Sequence, residues 1–383
     1  MIKVKKMPYS NLPAKNDLVF SRYFSSLTDP RRTHKGHHLY PLEEILFLCI
    51  SAVVSGCDEW TTISMFGQAK ISWLQRYYPY RNGTPSHDVL GKVFSALDPI
   101  EFSRCFTEWV NSLSVLTAGE VIAIDGKTIC GSDDKYSGKS ALHVVSAYAA
   151  ESRLCLGQEA VNEKSNEITA IPGLLKLLDI EDCTITIDAM GCQKSIAKII
   201  KKRKADYVLA VKDNHRELKE QVEKVFTLSM KTSSDKQIDI GHGRIEQRLC
   251  QVTDELTFLD DKQDWPGLKS IARVVSERTD KRSGAKSTQT RYFISSLSAD
   301  PVVIGKAIRS HWAVENNLHW ELDVLFKEDY SLKKQGNSAL NYNIIAKMAL
   351  NMINNEKQSK RGKNAKRVLA ALDDNYRFKI LTG

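Results

Sequence analysis

Three carboxylates carry the chemistry that this chain's residue order points to. Asp125 ends the apolar run Val121-Ile122-Ala123-Ile124 and is followed by Gly126-Lys127. Asp188 ends a second run, Thr184-Ile185-Thr186-Ile187, and is followed by Ala189-Met190-Gly191. Glu315 stands in a helical pattern, His311-Trp312-Ala313-Val314-Glu315-Asn316-Asn317. A carboxylate at the end of a buried strand is costly unless a cation meets it. Two such strand ends and a helix carboxylate, brought together, would hold divalent metal as in phosphoryl transfer on nucleic acid. For either aspartate alone the plain alternative is a turn residue, since Asp-Gly is a common turn pair. Against that, crevices at strand ends are where α/β proteins place ligands. Gly126 and Gly191 would let a backbone or a phosphate come close.

The neighbouring motifs invite other chemistries. His311, Glu315 and His319 are spaced four apart and share one helical face. Zinc is a poor reading of it, because two histidines two turns apart are separated by about 12 Å of helix rise. Gly126-Lys127-Thr128 resembles the end of a P-loop, but Val121 occupies the position of the required first glycine. Lys194, Lys198, Lys201, Lys202, Arg203 and Lys204 form either a solvated helix face or a guide for a phosphodiester backbone. Gly241-His242-Gly243-Arg244, with Arg248 behind it, is either a hairpin end or a DNA-contacting tip.

These groups need elements to position them. The chain has 383 residues, 42% of them hydrophobic and 26% charged, which is ordinary for a globular protein of more than one domain. Its net charge of +9 favours a polyanionic partner. The N-terminus lacks the apolar core of a signal peptide and no apolar stretch is long enough to span a bilayer, so a cytoplasmic location is expected. Eight cysteines are scattered without a CxxC pair, which predicts free thiols.

Residues 1–115 read as helical, with Leu42, Ile45, Leu46, Cys49, Ile50 and Val53 at helical spacing. From about 118 the pattern changes. Strands are expected at 121–125, 142–149 and 154–161, a helix near 166–178, a strand ending at Asp188, a basic helix over about 192–203 and a strand at 207–211. That order indicates a mixed sheet covered by helices, an α/β fold. A helix near 215–228 is followed by a β-rich insertion at about 236–297, and helices return at 300–325 and 338–355. The stretch from Lys357 to Arg367 reads as a basic tail.

Five blocks resemble one family. They are Ile124-Asp125-Gly126-Lys127-Thr128, Thr186-Ile187-Asp188-Ala189-Met190-Gly191-Cys192-Gln193, Ala210-Val211-Lys212-Asp213-Asn214-His215, Gly241-His242-Gly243-Arg244-Ile245-Glu246 and His311 to Trp320. In order and spacing they resemble the H-repeat-associated insertion-sequence transposases, a DDE group with an RNase H-like core. The likeness runs from Asp29-Pro30-Arg31 to Asp373-Asp374.

The resemblance implies that Asp125, Asp188 and Glu315 are catalytic and hold two Mg²⁺ ions, with Mn²⁺ as a substitute. It implies DNA contacts at Lys127, Lys194, Lys212, His242, Arg244, His311 and His319. It further implies a helical DNA-binding domain over 1–115, and a catalytic domain over 116–383 carrying the β-rich insertion and a helical basic tail. The partners would be double-stranded DNA, as terminal inverted repeats and target, and further copies of the chain, with no membrane. The setting would be the cytoplasm, at the nucleoid. The chain departs from the pattern in two ways. Cys130 stands where arginine is expected, and a Tyr–Arg–Glu–Lys signature corresponds here to Ile308, His311, Glu315 and Leu322. Two other readings share these residues: a structure-specific nuclease, and a catalytically idle DNA-binding relic.

Overall fold

The computed structural model describes residues 19–31, 39–113, 116–133, 138, 140–161, 166–229, 231–241 and 243–382. Its contacts divide the chain into two compact units. One comprises the described residues within 1–109, 130–139 and 322–383, the other those within 110–129 and 140–321.

The first unit is helical. It holds α1 (Val19–Phe24), α2 (Leu42–Val54), α3 (Trp60–Ala69), α4 (Ile71–Leu74), α5 (His87–Ala96) and most of α6 (Pro99–Leu113). Helix α2 is buried along almost its whole length, as its apolar sequence demands. The start of α5 is capped as Pro85-Ser86 predicts, with the Val89 amide donating to Ser86 Oγ at 3.4 Å. Trp73 stacks on Phe47 at 5.8 Å and Trp60 on Phe94 at 4.9 Å, so both rings serve this unit's packing.

The second unit is built on a nine-stranded sheet in the order β3-β2-β1-β4-β5-β9-β8-β7-β6. The strands are β1 (Val121–Ile129), β2 (Leu142–Ala149), β3 (Leu154–Val161), β4 (Thr184–Ile187), β5 (Asp206–Val211), β6 (Ser233–Gly241), β7 (Arg244–Thr253), β8 (Ser270–Asp280) and β9 (Lys286–Ser295). Helices α7 (Glu167–Leu177), α8 (Lys194–Lys202), α9 (Arg216–Leu228) and α10 (Pro301–Val314) follow the expected order, and α11 (Trp320–Phe326) passes from this unit into the helical one at Leu322. β1, β4 and β5 run parallel; all other neighbours are antiparallel. This is the mixed sheet expected of an RNase H-like core. The expected β-rich insertion is not a separate layer. Its four strands form a meander that pairs with β5 through β9 and extends the same sheet. The apolar face of that extension packs with β1 and α10, through Val121, Val208, Val252, Phe293, Ile304 and Ile308.

The C-terminal residues differ from the sequence reading of a basic tail on the α/β part. Helices α12 (Ser338–Asn355), α13 (Lys363–Leu372) and α14 (Asp374–Thr382) belong to the helical unit. Nearly every residue of α12 is buried. Its buried residues include Asn341, Asn343, Lys347 and Asn351 as well as apolar ones, and α2 is one of its neighbours. The tail's charge is partly used internally. Arg367 is buried, donates to the Val53 carbonyl at 2.9 Å and pairs with Asp58. Lys366 pairs with Glu356 at 3.2 Å.

All eight cysteines are free, and only Cys130 is exposed. Among the described residues no helix is long and apolar enough to cross a membrane.

Candidate active site

The parallel register of β1 and β4 sets the site. Val121 pairs with Thr184 and each following residue with its counterpart, ending at Ile124 and Ile187. The same register carried one residue further sets Asp125 level with Asp188. Asp125 is not at a strand tip, as the apolar run implied: β1 continues to Ile129 against β2. Its partner β4 stops at Ile187, so the crevice opens beside Asp125 on that side only. Asp188 begins a turn, accepting the Met190 amide at 3.0 Å.

Glu315 arrives from α10. After Val314 the helix widens into one π-helical turn, Glu315–His319, before α11 resumes. Such turns re-aim side chains and recur at functional sites. Asp125, Asp188 and Glu315 all line one cavity of about 210 Å³, with Thr186, Lys212, Arg291, His311 and Trp312 among the other lining residues. The two histidines of the helix face meet different carboxylates. His319 Nδ1 lies 3.7 Å from Asp125 Oδ2. His311 Nδ1 lies 3.0 Å from Thr186 Oγ1, and the Asp188 charge acts on the ring.

The electrostatics are those of crowded anions. Burial pushes the Asp125 carboxyl up to about 7, the Glu167 charge adds to this, and Asp188 and Glu315 contribute further. Burial pushes His311 down to about 4, so the imidazole is neutral at pH 7 and offers a hydrogen bond rather than a positive charge. An oxygen-only set of three carboxylates under mutual repulsion fits a hard divalent cation. The three are more widely spaced than a preformed cage. Among the described residues, three donor atoms within 4.8 Å of one another occur elsewhere, at Asp323, Glu328 and Asp329 in the helical unit. Asp329 accepts the Cys130 amide at 3.2 Å and Glu328 accepts from Asn343.

The residues expected to meet DNA scatter. Lys212 is exposed at the cavity rim. Arg244 lies instead in a second, larger cavity of about 590 Å³, formed by the sheet extension and α10. That groove also presents Arg248, Arg278 and Arg309, and it shares Arg291, Ile308, Trp312 and Glu315 with the first cavity. The two are therefore continuous. Arg291 stacks over the Trp312 ring, 4.9 Å from its centroid. Lys194 goes to neither cavity: its Nζ is held by Asp261 and Asp264, each at 2.7 Å. Lys127 lines neither cavity. His242 lies outside the described residues.

The glycines correct a sequence inference. A side chain at Gly191 would strike Ile187, and one at Gly126 would strike Glu167 and His143. Both are needed for close packing within the protein rather than for approach of a phosphate. The sequence reading missed Glu167, His143, Arg278, Arg291 and Arg309. The arginines lie on the neighbouring strands β8 and β9 and on α10, with no motif around them. Glu167 carries only the signal of an acidic residue in a helix's first turn.

The whole chain can be set against known proteins. Residues 117–352 match the transposase DDE domain, and residues 21–110 match the DDE_Tnp_1-associated family. The Escherichia coli O157:H7 protein named "Putative transposase YncI" is 44% identical over 367 residues, which cover 94% of this chain and 93% of that protein. The Escherichia coli K12 protein named "H repeat-associated putative transposase YhhI" is 40% identical over 370 residues, covering 94% and 97%. Matched over most of its length, with its three acidic blocks gathered on one cavity, the chain belongs to the DDE transposase family.

Proposed function

We propose that the chain cuts DNA at the ends of a mobile element and joins the freed 3′-hydroxyl to target DNA, using Asp125, Asp188 and Glu315. The observation that supports this reading is that Asp125 and Asp188 directly follow Ile124 and Ile187, the last paired residues of two neighbouring parallel strands, and line one cavity with Glu315. Those three carboxylates would hold Mg²⁺, with Mn²⁺ as substitute; when bound, such ions polarise the phosphoryl oxygens and acidify the attacking hydroxyl. The protein's own groups do the rest. Lys212 and Arg291 offset phosphate charge at the cavity rim. His311, neutral and tied to Thr186, keeps the helix bearing Glu315 against the sheet. Water and then the 3′-hydroxyl act directly as nucleophiles, so no covalent protein–DNA intermediate forms.

The arginine groove is the path for the DNA backbone. Arg244 and Arg278 on the extension, Arg309 on α10 and Arg291 at the junction can follow phosphates towards the carboxylates. The helical residues up to about 115 recognise the element ends, and at least two copies of the chain act together because an element has two ends. Purified protein, paired candidate ends and Mg²⁺ in a strand-transfer assay test the reading. Joined products support it. Cleavage without joining makes the chain a nuclease, and binding without cleavage makes it an idle relic.

A further inference from the structure

The two edges of the sheet are finished differently. At one edge, β3 is buried over its first five residues and α7 packs against it. At the other, β6 is exposed at every position except the half-buried Asp235, and among the described residues no strand pairs with its outer side. Ile238 and Ile240 are 56% and 67% exposed there. An open edge of this length is a template for further pairing, and proteins ordinarily blunt such edges with charge. Asp235, Lys236 and Asp239 supply charge on β6, so a solvated edge is the plain reading. The positions of those charges, however, exclude some pairings and leave one open. Two copies that pair β6 with β6 antiparallel share a two-fold axis normal to the sheet, and that axis sets one residue opposite itself. Centring on Asp235, Lys236 or Asp239 sets a charge against itself, and centring on Gln237 sets Asp235 against Asp239. Centring on Ile238 avoids every such clash. It sets Ile238 against Ile238, the apolar stem of Lys236 against Ile240, the Gln237 amide against Asp239, and Asp235 against Gly241. Centres nearer either end leave most of the strand unpaired.

We propose that β6 is the contact for a second copy of this chain, paired antiparallel with its counterpart and centred on Ile238. The axis keeps the same sheet face on the same side in both copies. The grooves of Arg244, Arg248, Arg278 and Arg309 therefore open on one side, and because Asp235 and Gln237 line the groove as well, the two adjoin across the contact. Two DNA paths brought together in this way suit the two ends of an element. The register is read from β6 alone and does not depend on the roles of the three carboxylates.

The test cross-links the full chain, with and without paired-end DNA, in a Cys130→Ser background because Cys130 is the exposed native thiol. Ile238→Cys opposes its own copy at the separation of a directly paired residue, which a disulfide can span. Oxidation is expected to link it into a dimer ~10-fold or more faster than Ile240→Cys, which opposes Lys236 instead. Mixing Lys236→Cys chains with Ile240→Cys chains should give a linked dimer that neither gives alone. Ile238→Lys sets two lysines opposite each other and should weaken self-association ~10-fold or more in sedimentation, at an unchanged melting temperature. Should that variant fail to fold, the cysteine variants decide. Equal cross-linking at 238 and 240 would overturn the register. No cross-link at 238 with or without DNA, or self-association of Ile238→Lys equal to the parent's, would overturn the contact. Neither result touches the cleavage reading, which strand transfer tests separately.

Discussion

Thr186 and His311 stand 125 residues apart, and their Oγ1 and Nδ1 atoms meet at 3.0 Å. That hydrogen bond ties the strand leading to Asp188 to the helix leading to Glu315. Burial holds His311 down to about 4. Its imidazole is therefore expected to stay neutral from pH 5 to 8, which NMR titration of the ring protons checks. Between pH 6.5 and about 4 the sign is unfavourable. The unfolded chain binds the proton more readily, so stability contributed by the neutral ring is lost as pH falls through the folded value. An NMR midpoint near the ordinary value of 6.5 would contradict this.

Asp188→Asn is expected to lower Mg²⁺-dependent cleavage by ~10²-fold or more while DNA binding stays near parental, since the amide keeps the shape but not the charge. Glu315→Gln should behave in the same way. Gel-shift and cleavage assays on one substrate separate the two effects. Cleavage at near the parental rate would remove the residue from the proposed mechanism.

Asp125 gives a pH prediction of the opposite kind. Its carboxyl is raised from 3.8 to about 7 by burial and neighbouring charge. The folded state binds this proton more tightly than the unfolded one, so the group's favourable contribution is fully present below pH 3.8 and is lost as pH rises through about 7. In the absence of divalent cation, Asp125→Asn should therefore melt higher than the parent at pH 8 and lose that advantage below pH 4. Mg²⁺ should raise the melting temperature of the parent but not of the variant. Calorimetry at the two pH values, with and without chelator, decides it.

Ion pairing separates two classes of basic residue: Lys194 is held by acids, as are Arg248, Arg278 and Arg309 in the groove, whereas Lys212 and Arg291 line the carboxylate cavity. Arg291→Ala and Lys212→Ala should each weaken DNA binding and make the log–log salt slope shallower by about 0.9 per lost phosphate contact. Lys194→Ala should leave the slope unchanged, because that ammonium is already shared between Asp261 and Asp264. It should cost little stability as well, since partly exposed ion pairs contribute ~0–1 kcal/mol. A steep loss of DNA affinity in the Lys194 variant would overturn this sorting.

The sequence by itself determined the element order, the mixed sheet and the three carboxylates. Apolar runs ending in Asp125 and Asp188 mark buried strands, and helical spacing marks α2 and α10; both signals are local. The sharing of one cavity was decided by tertiary structure. The β1–β4 register sets the two aspartates level, and a π-helical turn aims the segment that carries Glu315. Hydrophobic periodicity specifies neither strand partners nor local helix widening. Charge runs were the least legible feature. Lys194, Lys366 and Arg367 look like solvated or DNA-facing cations in one dimension, yet they are paired with acids distant in the chain or nearby in the fold. Arg278, Arg291 and Arg309 have no such pattern, and strand pairing gathers them into a groove. Glu167 shows the limit most clearly. It opens a helix, its partner His143 and its neighbour Gly126 lie on strands β2 and β1, and only the folded sheet brings the three together.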